Sequence, residues 1–299
     1  RYKEYNEPFT IIIPCYNEPY QFLKDCVDSI INAEGEKQII LVDNNSNHKD
    51  TLKAIEEYKK NPFVKVLKEK KQGKRFAHAK GLKYTENEIV VFVDSDTIVL
   101  KNSILELIKP LQDPKIGAVC GNIRIANRND NFLTKSLNAM YWNSFEYYRG
   151  AVSVLGYLYV CSGALSAYKK DLLIRLEEEY LNHYFMGRLC SISDDTFMTV
   201  RIQSRFGKKI AFQREAIGLT YSPNTIKGFW KQLFRWRQGF LRESLEMWKE
   251  PKKHIKFLFF DAQFNLFIQT LMSIFKMFLI YSLIINFSTY NITIFFGWF

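Results

Sequence analysis

Two aspartates one residue apart sit in Val93-Asp94-Ser95-Asp96-Thr97, directly after an apolar run. Carboxylates so spaced at a strand end can hold a hard divalent cation, which keeps several waters and takes further ligands from substrate phosphates. About twenty residues upstream stands Gly73-Lys74-Arg75, ahead of a helical pattern. Gly73 frees the backbone, the helix start offers amide donors, and Lys74 with Arg75 can neutralise a phosphate. Each feature also has a plainer reading, since acids are common at strand ends and charge runs are usually solvated faces. Together they suit a nucleoside diphosphate.

Further along, Ser193-Asp194-Asp195-Thr196 places two acids side by side. Burial or a neighbouring charge can raise one carboxyl towards a value useful in a general base. Ser193 or Asp194 could equally cap a helix running from Thr196 to Ser204, and both roles can coexist. In Gln232-Leu233-Phe234-Arg235-Trp236, the amide, guanidinium and indole fall at helical spacings of three and four and so share one face. That set suits phosphate contact and stacking on a sugar ring, while an interfacial amphipathic helix is the alternative.

The elements that position these groups are legible. Phe9 to Pro14, Gln38 to Asp43, Val64 to Leu67 and Ile89 to Asp94 read as strands buried on both faces. Gln21 to Ala33, Thr51 to Lys60, Arg75 to Lys83 and Ser103 to Leu111 read as the helices between them. Alternation of this kind predicts a parallel, doubly wound α/β sheet. Asn17-Glu18, Asp43-Asn44 and Asp94-Ser95-Asp96 all fall past strand ends, where open α/β sheets bind ligands.

Composition narrows the partners. The net charge of +11 is more than accounted for by residues 65–83, with eight Lys/Arg against one Glu, and 227–256, with nine against three acids, the rest of the chain netting −2. A uniformly basic coat for nucleic acid is thereby excluded. Five cysteines without a Cys-x-x-Cys pair argue against a disulfide framework or a thiolate zinc site and suggest a reducing compartment. Residues 257–299 hold fourteen aromatics and two charges, Asp261 and Lys276. Phe264 to Ile285 is long and apolar enough for a transmembrane helix, where roughly 20 residues are needed. A polar stretch at Ser288, Thr289 and Asn291 then leads into a second apolar run, read as the start of another span.

With these residues in hand, the chain resembles the processive family 2 glycosyltransferases, and most closely the hyaluronan synthases, with chitin synthases and nodulation chitooligosaccharide synthases nearby. The motifs run in family order from Pro14-Cys15-Tyr16-Asn17-Glu18 and Val42 to Ser46, through Gly73 to Arg75 and Val93 to Thr97. Gly121 to Arg128, Val160 to Tyr168, Ser193 to Asp195, Gln232 to Trp236 and Phe240 to Ser244 follow. The resemblance implies a GT-A fold, a Rossmann-like doubly wound mixed sheet, using UDP-sugars and Mg²⁺ or Mn²⁺. It implies Pro14, Tyr16, Glu18, Asp43 and Lys74 around the uridine, with Arg75 on the phosphates. Asp94 and Ser95 fall on the ribose side, and Asp96, with Asp94, at the metal.

Asp195, beside Asp194, becomes the base for an inverting transfer. Arg235 and Gln232 meet the pyrophosphate, and Trp236 cradles the acceptor, near Cys190, Ser162 and Gly163. The product implied first is hyaluronan, from UDP-GlcNAc and UDP-GlcA. A chitin-like or other capsular polymer, or single-sugar transfer, is the alternative, and a basic membrane-associated binding protein is the non-enzymatic one. Ser193 and Thr196 flanking the acidic pair, Ala164 after Ser162-Gly163, and Tyr148 to Ser153 depart from the hyaluronan pattern on the acceptor side.

The expected partners are UDP-sugar donors, a growing polysaccharide and a lipid bilayer, with no nucleic acid and the oligomeric state open. Residues 1–222 form the cytosolic GT-A domain in this reading, 223–256 amphipathic interface helices, and 257–299 a transmembrane helix with part of a second. The expected location is the plasma membrane with the catalytic domain in the cytoplasm. The two membrane helices that such synthases carry ahead of the domain do not occur in the polar residues before Phe9.

Overall fold

A computed structural model describes residues 3–296, in two compact units that divide after Ile255. The first opens with β1 (Phe9–Cys15), α1 (Tyr20–Ile31), β2 (Lys37–Asp43), α2 (Lys49–Tyr58) and β3 (Val64–Lys68). Next come α3 (Lys74–Leu82), β4 (Ile89–Val93), β5 (Thr97–Val99) and α4 (Ser103–Ile108). β1 and β4 are buried at every residue, as their unbroken aliphatic sequences require of strands covered on both faces. α1 buries Leu23, Cys26, Val27 and Ile30 at helical spacing, while Gln21, Lys24 and Asp25 remain outside. The helix expected to reach Leu111 ends at Ile108 and tightens into a 3₁₀ turn over Lys109–Gln112, because Pro110 cannot donate to an α-helical ladder.

The second half supplies β6 (Ile116–Ile125), α5 (Phe132–Trp142), a π-helical turn at Asn143–Arg149, and α6 (Gly150–Val154). β7 (Leu165–Lys169), α7 (Lys170–Leu181), the short pair β8 (Tyr184–Phe185) and β9 (Arg188–Leu189), α8 (Asp194–Phe206), β10 (Lys209–Thr220) and α9 (Ile226–Glu246) complete the unit. Strand order is β3-β2-β1-β4-β7-β6-β10-β5. The first four strands in that order are parallel, but β7 runs antiparallel to both β4 and β6, and β5 antiparallel to β10. The sheet is therefore mixed rather than wholly parallel. Its first half matches the sequence pattern, while β7 inserts between β4 and β6 from a sequence-distant loop that no periodicity announces.

α9 belongs to the first unit and is not a separate segment. Its buried positions, Gly239, Arg242, Glu243, Ser244 and Glu246, lock into a polar network instead of an apolar seam. Arg201 of α8 places NH1 2.6 Å from Glu243 and NH2 2.9 Å from Glu246. Arg205 holds Glu250 at 2.8 Å, and His183 sits 2.7 Å from Glu246. Removing Arg201 would leave the fully buried Glu243 with Arg242, 2.9 Å away, as its remaining partner, and should destabilise the fold.

The second unit is α10 (Lys256–Phe296). It is continuous across Ser288, Thr289 and Asn291, where the sequence suggested a break, so the described residues form one helix and not one and a fragment. Of it, Lys256–Ile285 is long and apolar enough to cross a membrane by length and composition.

The network gives stability a defined acid limb. Burial alone would raise the Glu246 carboxyl, but hydrogen bonds with His183 and Lys249 and the charge of Arg201 outweigh it and hold the group down at about 2, against 4.5 in the unfolded chain. A depressed carboxyl stabilises fully above the unfolded value and loses that contribution as pH falls through the folded one. Denaturant unfolding between about pH 6 and about pH 2 should therefore show a steeper loss in the wild type than in Glu246→Gln. Equal slopes would count against the network as described.

Candidate active site

Past the carboxyl ends of β1, β2 and β4 the chain forms a cleft of about 550 Å³ lined by Pro14, Tyr16, Glu18, Asn44, Gln72, Gly73, Lys74, Asp94, Ser95, Asp96, Ser191 and Arg235. Loop geometry explains the convergence. The Asn44 side chain accepts from the Gly73 amide at 2.8 Å and donates to the Lys71 carbonyl at 2.7 Å, fastening the basic loop to the end of β2. Tyr16 is half-exposed, its hydroxyl accepting from Gln72 at 2.7 Å. Ser95 donates to Glu18 at 2.8 Å. Lys74 forms an ion pair with Asp94.

Carboxylates crowd the floor. Burial first, then the charges of Asp94 and Glu18, push the Asp96 carboxyl up to about 7, and its Oδ1 is met only by long contacts of 3.3 Å from Thr97 and Thr220. Burial also raises Glu18, offset in part by Ser95 and reinforced by Asp94. Burial works against the Lys74 charge, but Asp94, Asp195 and Asp194 overcome it and hold its pKa above the usual lysine value. Among the described residues no three His, Cys, Asp or Glu side chains are grouped to bind an ion by themselves. A poorly satisfied carboxylate at Asp96 with Asp94 beside it fits a hard cation that takes its other ligands from water and a diphosphate.

On the other side of Gly163 lies an aromatic pocket of about 330 Å³. Tyr141, Phe145, Tyr159, Trp236 and Phe240 line it, with Arg149, Ser162, Ser193 and Asp195 as its principal polar groups. Asp195 opens α8. Its Oδ1 accepts from the Thr196 amide at 2.8 Å and its Oδ2 from the Gly163 amide at 3.4 Å. Burial raises this carboxyl, Lys74 and the Thr196 amide oppose the rise, and Asp194 adds to it. Ser193, expected as a helix cap, is left-handed with φ 59° and makes no side-chain cap; Asp195 itself takes the first-turn amide. Gly239 of α9 packs on Ser193 so closely that a Cβ would strike its side chain.

The Gln232 set divides between cavities. Gln232 and Arg235 line a cleft of about 680 Å³ together with Glu18, Asp96, Asn127, Asp130, Tyr221 and Lys231. Trp236, one residue on, faces the aromatic pocket. Arg235 lines both polar clefts, and Gln232 Oε1 is buried without a partner.

Four candidates are not brought to these cavities. Arg75, expected at a phosphate, is buried, with NH2 2.5 Å from Asp194 and NH1 2.8 Å from the Tyr180 carbonyl. Asp194 is thereby held in the interior and lines none of the three cavities. Asp43 is buried and accepts from the Ser46 amide at 2.8 Å, shaping the loop after β2. Cys190 is buried with its amide on the His183 carbonyl at 2.9 Å, and burial raises its thiol. Conversely, Gln72, Ser191, Asn127 and Lys231 line the cavities without having been expected there as site residues. Asn127 lay inside a motif string, but nothing at Ser191 marks it in sequence.

The glycosyl transferase family 2 model matches residues 10–177 of the chain. An N-acetylglucosaminyltransferase of Mesorhizobium japonicum is 31% identical over 239 residues, which is 79% of this chain and 56% of that protein. A hyaluronan synthase of Streptococcus pyogenes is 32% identical over 251 residues, 81% of this chain and 59% of that one. The chain thus spans a little over half the length of these relatives. A mannosyltransferase of Pyrobaculum calidifontis, solved with GDP-Man and Mn²⁺, is 22% identical with a TM-score of 0.67, covering 87% of this chain and 69% of its own, a likeness of fold.

The join between the two cavities is testable at one atom. A Cβ on Gly163 would stand 2.8 Å from Lys74 Nζ and 3.9 Å from the Asp195 Cβ. Gly163→Ala should lower turnover by about tenfold or more by shifting Lys74 in the cleft, since displacements near 1 Å are that costly. Circular dichroism should remain unchanged, and full turnover in the variant would contradict the packing.

Proposed function

The chain belongs to glycosyl transferase family 2, and from that premise we propose that it transfers a sugar from a UDP-sugar to the end of a growing polysaccharide, with inversion, at a membrane. The observation that carries this reading is the position of Asp195 between a polar cleft rich in phosphate-binding groups and a pocket walled by aromatic rings. A sugar stacked on Trp236 presents its hydroxyl to Asp195. That oxygen bonds to the anomeric carbon as the carbon–oxygen bond to the diphosphate breaks, and Asp195 takes the hydroxyl proton.

UDP leaves with added negative charge, which Lys74 and Arg235 are placed to stabilise. Mg²⁺ or Mn²⁺, held by Asp96 with Asp94, would supply Lewis-acid stabilisation of the same diphosphate. Tyr16, with Gln72 behind it, offers a ring for the uridine, and the buried acceptor atom of Gln232 awaits a donor from the ligand.

Hyaluronan, from UDP-GlcNAc and UDP-GlcA, is the first product reading. The 31% identity to an N-acetylglucosaminyltransferase favours a GlcNAc polymer as the second. Membrane attachment rests on α10 and on the exposed apolar stripe of α9, which includes Ile226, Trp230, Phe234 and Leu241. Lys252, Lys253 and Lys256 directly before the apolar stretch support a cytoplasmic side for the catalytic unit, since basic flanks prevail there. Five free cysteines suit that compartment.

UDP release and product size, measured with UDP-GlcNAc, UDP-GlcA or both, test the reading. Asp195→Asn and Asp96→Asn should each reduce release by about 100-fold or more. Unchanged release in both variants would remove catalysis from this site. Polymer that requires both sugars identifies hyaluronan, whereas polymer from UDP-GlcNAc alone overturns that product in favour of the second.

A further inference from the structure

Arg149 is a cation without a counter-ion in the pocket that holds the candidate base. It ends the π-helical turn Asn143–Arg149, and such turns interrupt helices frequently at functional sites. Its guanidinium lies over the Phe145 ring with the central carbon 3.9 Å from the centroid. One edge is fixed, because NH1 donates to the Ser144 hydroxyl at 2.6 Å and to the Ser144 carbonyl at 3.1 Å. The other is not, since Nε is buried and has no partner. Glu146, the acid nearest along the turn, is taken by Arg124, Arg214 and Asn122. Among the described residues no carboxylate forms an ion pair with Arg149.

Arg149 is partly buried, and its guanidinium presents a planar fork that matches a carboxylate. Here the plane is already set by Phe145 and Ser144, so little side-chain freedom remains to be lost on binding. The pocket also carries Trp236 and Tyr141 for a sugar face and Asp195 for its hydroxyl. An acid on the ligand would complete the set.

We propose that Arg149 selects an acceptor whose terminal sugar is a uronic acid, by pairing with its carboxylate. The inference rests on the acceptor-pocket reading given under Proposed function and adds the residue and the chemical class it reads. A neutral terminal sugar could stack on Trp236 equally well, but would leave Arg149 uncompensated.

Calorimetric titration of the full chain in detergent, without donor, tests this with two disaccharides. They differ only at the terminal sugar, glucuronate in one and its carboxyl-reduced glucose form in the other. The wild type should bind the glucuronate form about 10-fold to 100-fold more tightly, and the gap should narrow as salt rises. Arg149→Gln should collapse the gap to within about threefold by weakening only the acidic ligand, and Arg149→Lys, which keeps the charge but loses the fork, should retain part of it.

Equal binding of both disaccharides by the wild type overturns the proposal. So does an equal loss for both in Arg149→Gln with its circular dichroism intact, since that is what a merely structural role produces. Binding is read independently of transfer. A gap without any UDP release would count against the transfer reading alone, and UDP release without a gap against this inference alone.

Discussion

Everything at the candidate site is referred to one buried ion pair, Arg75 with Asp194, formed between residues 119 apart in sequence. A buried pair of this kind gains little over apolar side chains of the same volume, while losing one partner costs about 3–5 kcal/mol. Its consequence is therefore geometric more than energetic. Lys74 and Arg75 are neighbours on the first turn of α3, yet they engage different groups. Lys74 meets Asp94 in the polar cleft and Arg75 meets Asp194 in the interior. Fixing Asp194 fixes Asp195, whose carboxylate then reaches back to Gly163 and, through its field, to Lys74. The donor-side loops and the candidate base thus share one anchor.

The same logic extends to α9. Arg235 and Trp236 lie on the exposed part of that helix, which gains no apolar seam to hold it there. The Arg201, Glu243 and Glu246 contacts and the Gly239 approach to Ser193 set its position instead. Densely paired polar networks in the interior specify one arrangement well, because any slip leaves charges unpaired. Such specification suits a helix carrying one side chain into each of two adjacent cavities.

How much of this was legible varies with the physical origin of each feature. The first half of the sheet could be read because β1, β2 and β4 are covered on both faces and their aliphatic runs say so. Glu18, Asn44, Asp94 and Asp96 could be expected at one cleft because strand ends in such sheets open on ligand clefts, and they line the same cavity. Arg75 was misread because sequence gives a basic residue beside a glycine the same appearance whether it faces phosphate or a buried aspartate. Asp43 and Cys190 failed for a related reason: placement in a motif does not tell which way a side chain turns. The antiparallel β7 and the α8–α9 network depend on long-range pairing, which no local period encodes. Arg149 lay inside the Tyr148 to Ser153 stretch on the acceptor side, but its lack of an ion pair among the described residues is visible only in three dimensions.

The Arg75–Asp194 pair sets the geometry of Asp195 rather than supplying stability. Steady-state kinetics of UDP release by the double variant Arg75→Met/Asp194→Leu test it most directly. An apolar replacement of a buried pair is often neutral for folding, so the variant should unfold near the wild-type midpoint and keep its donor KM within about threefold. Its kcat should fall about 100-fold or more, because the base has lost its anchor. A folded double variant with wild-type kcat would contradict the claim.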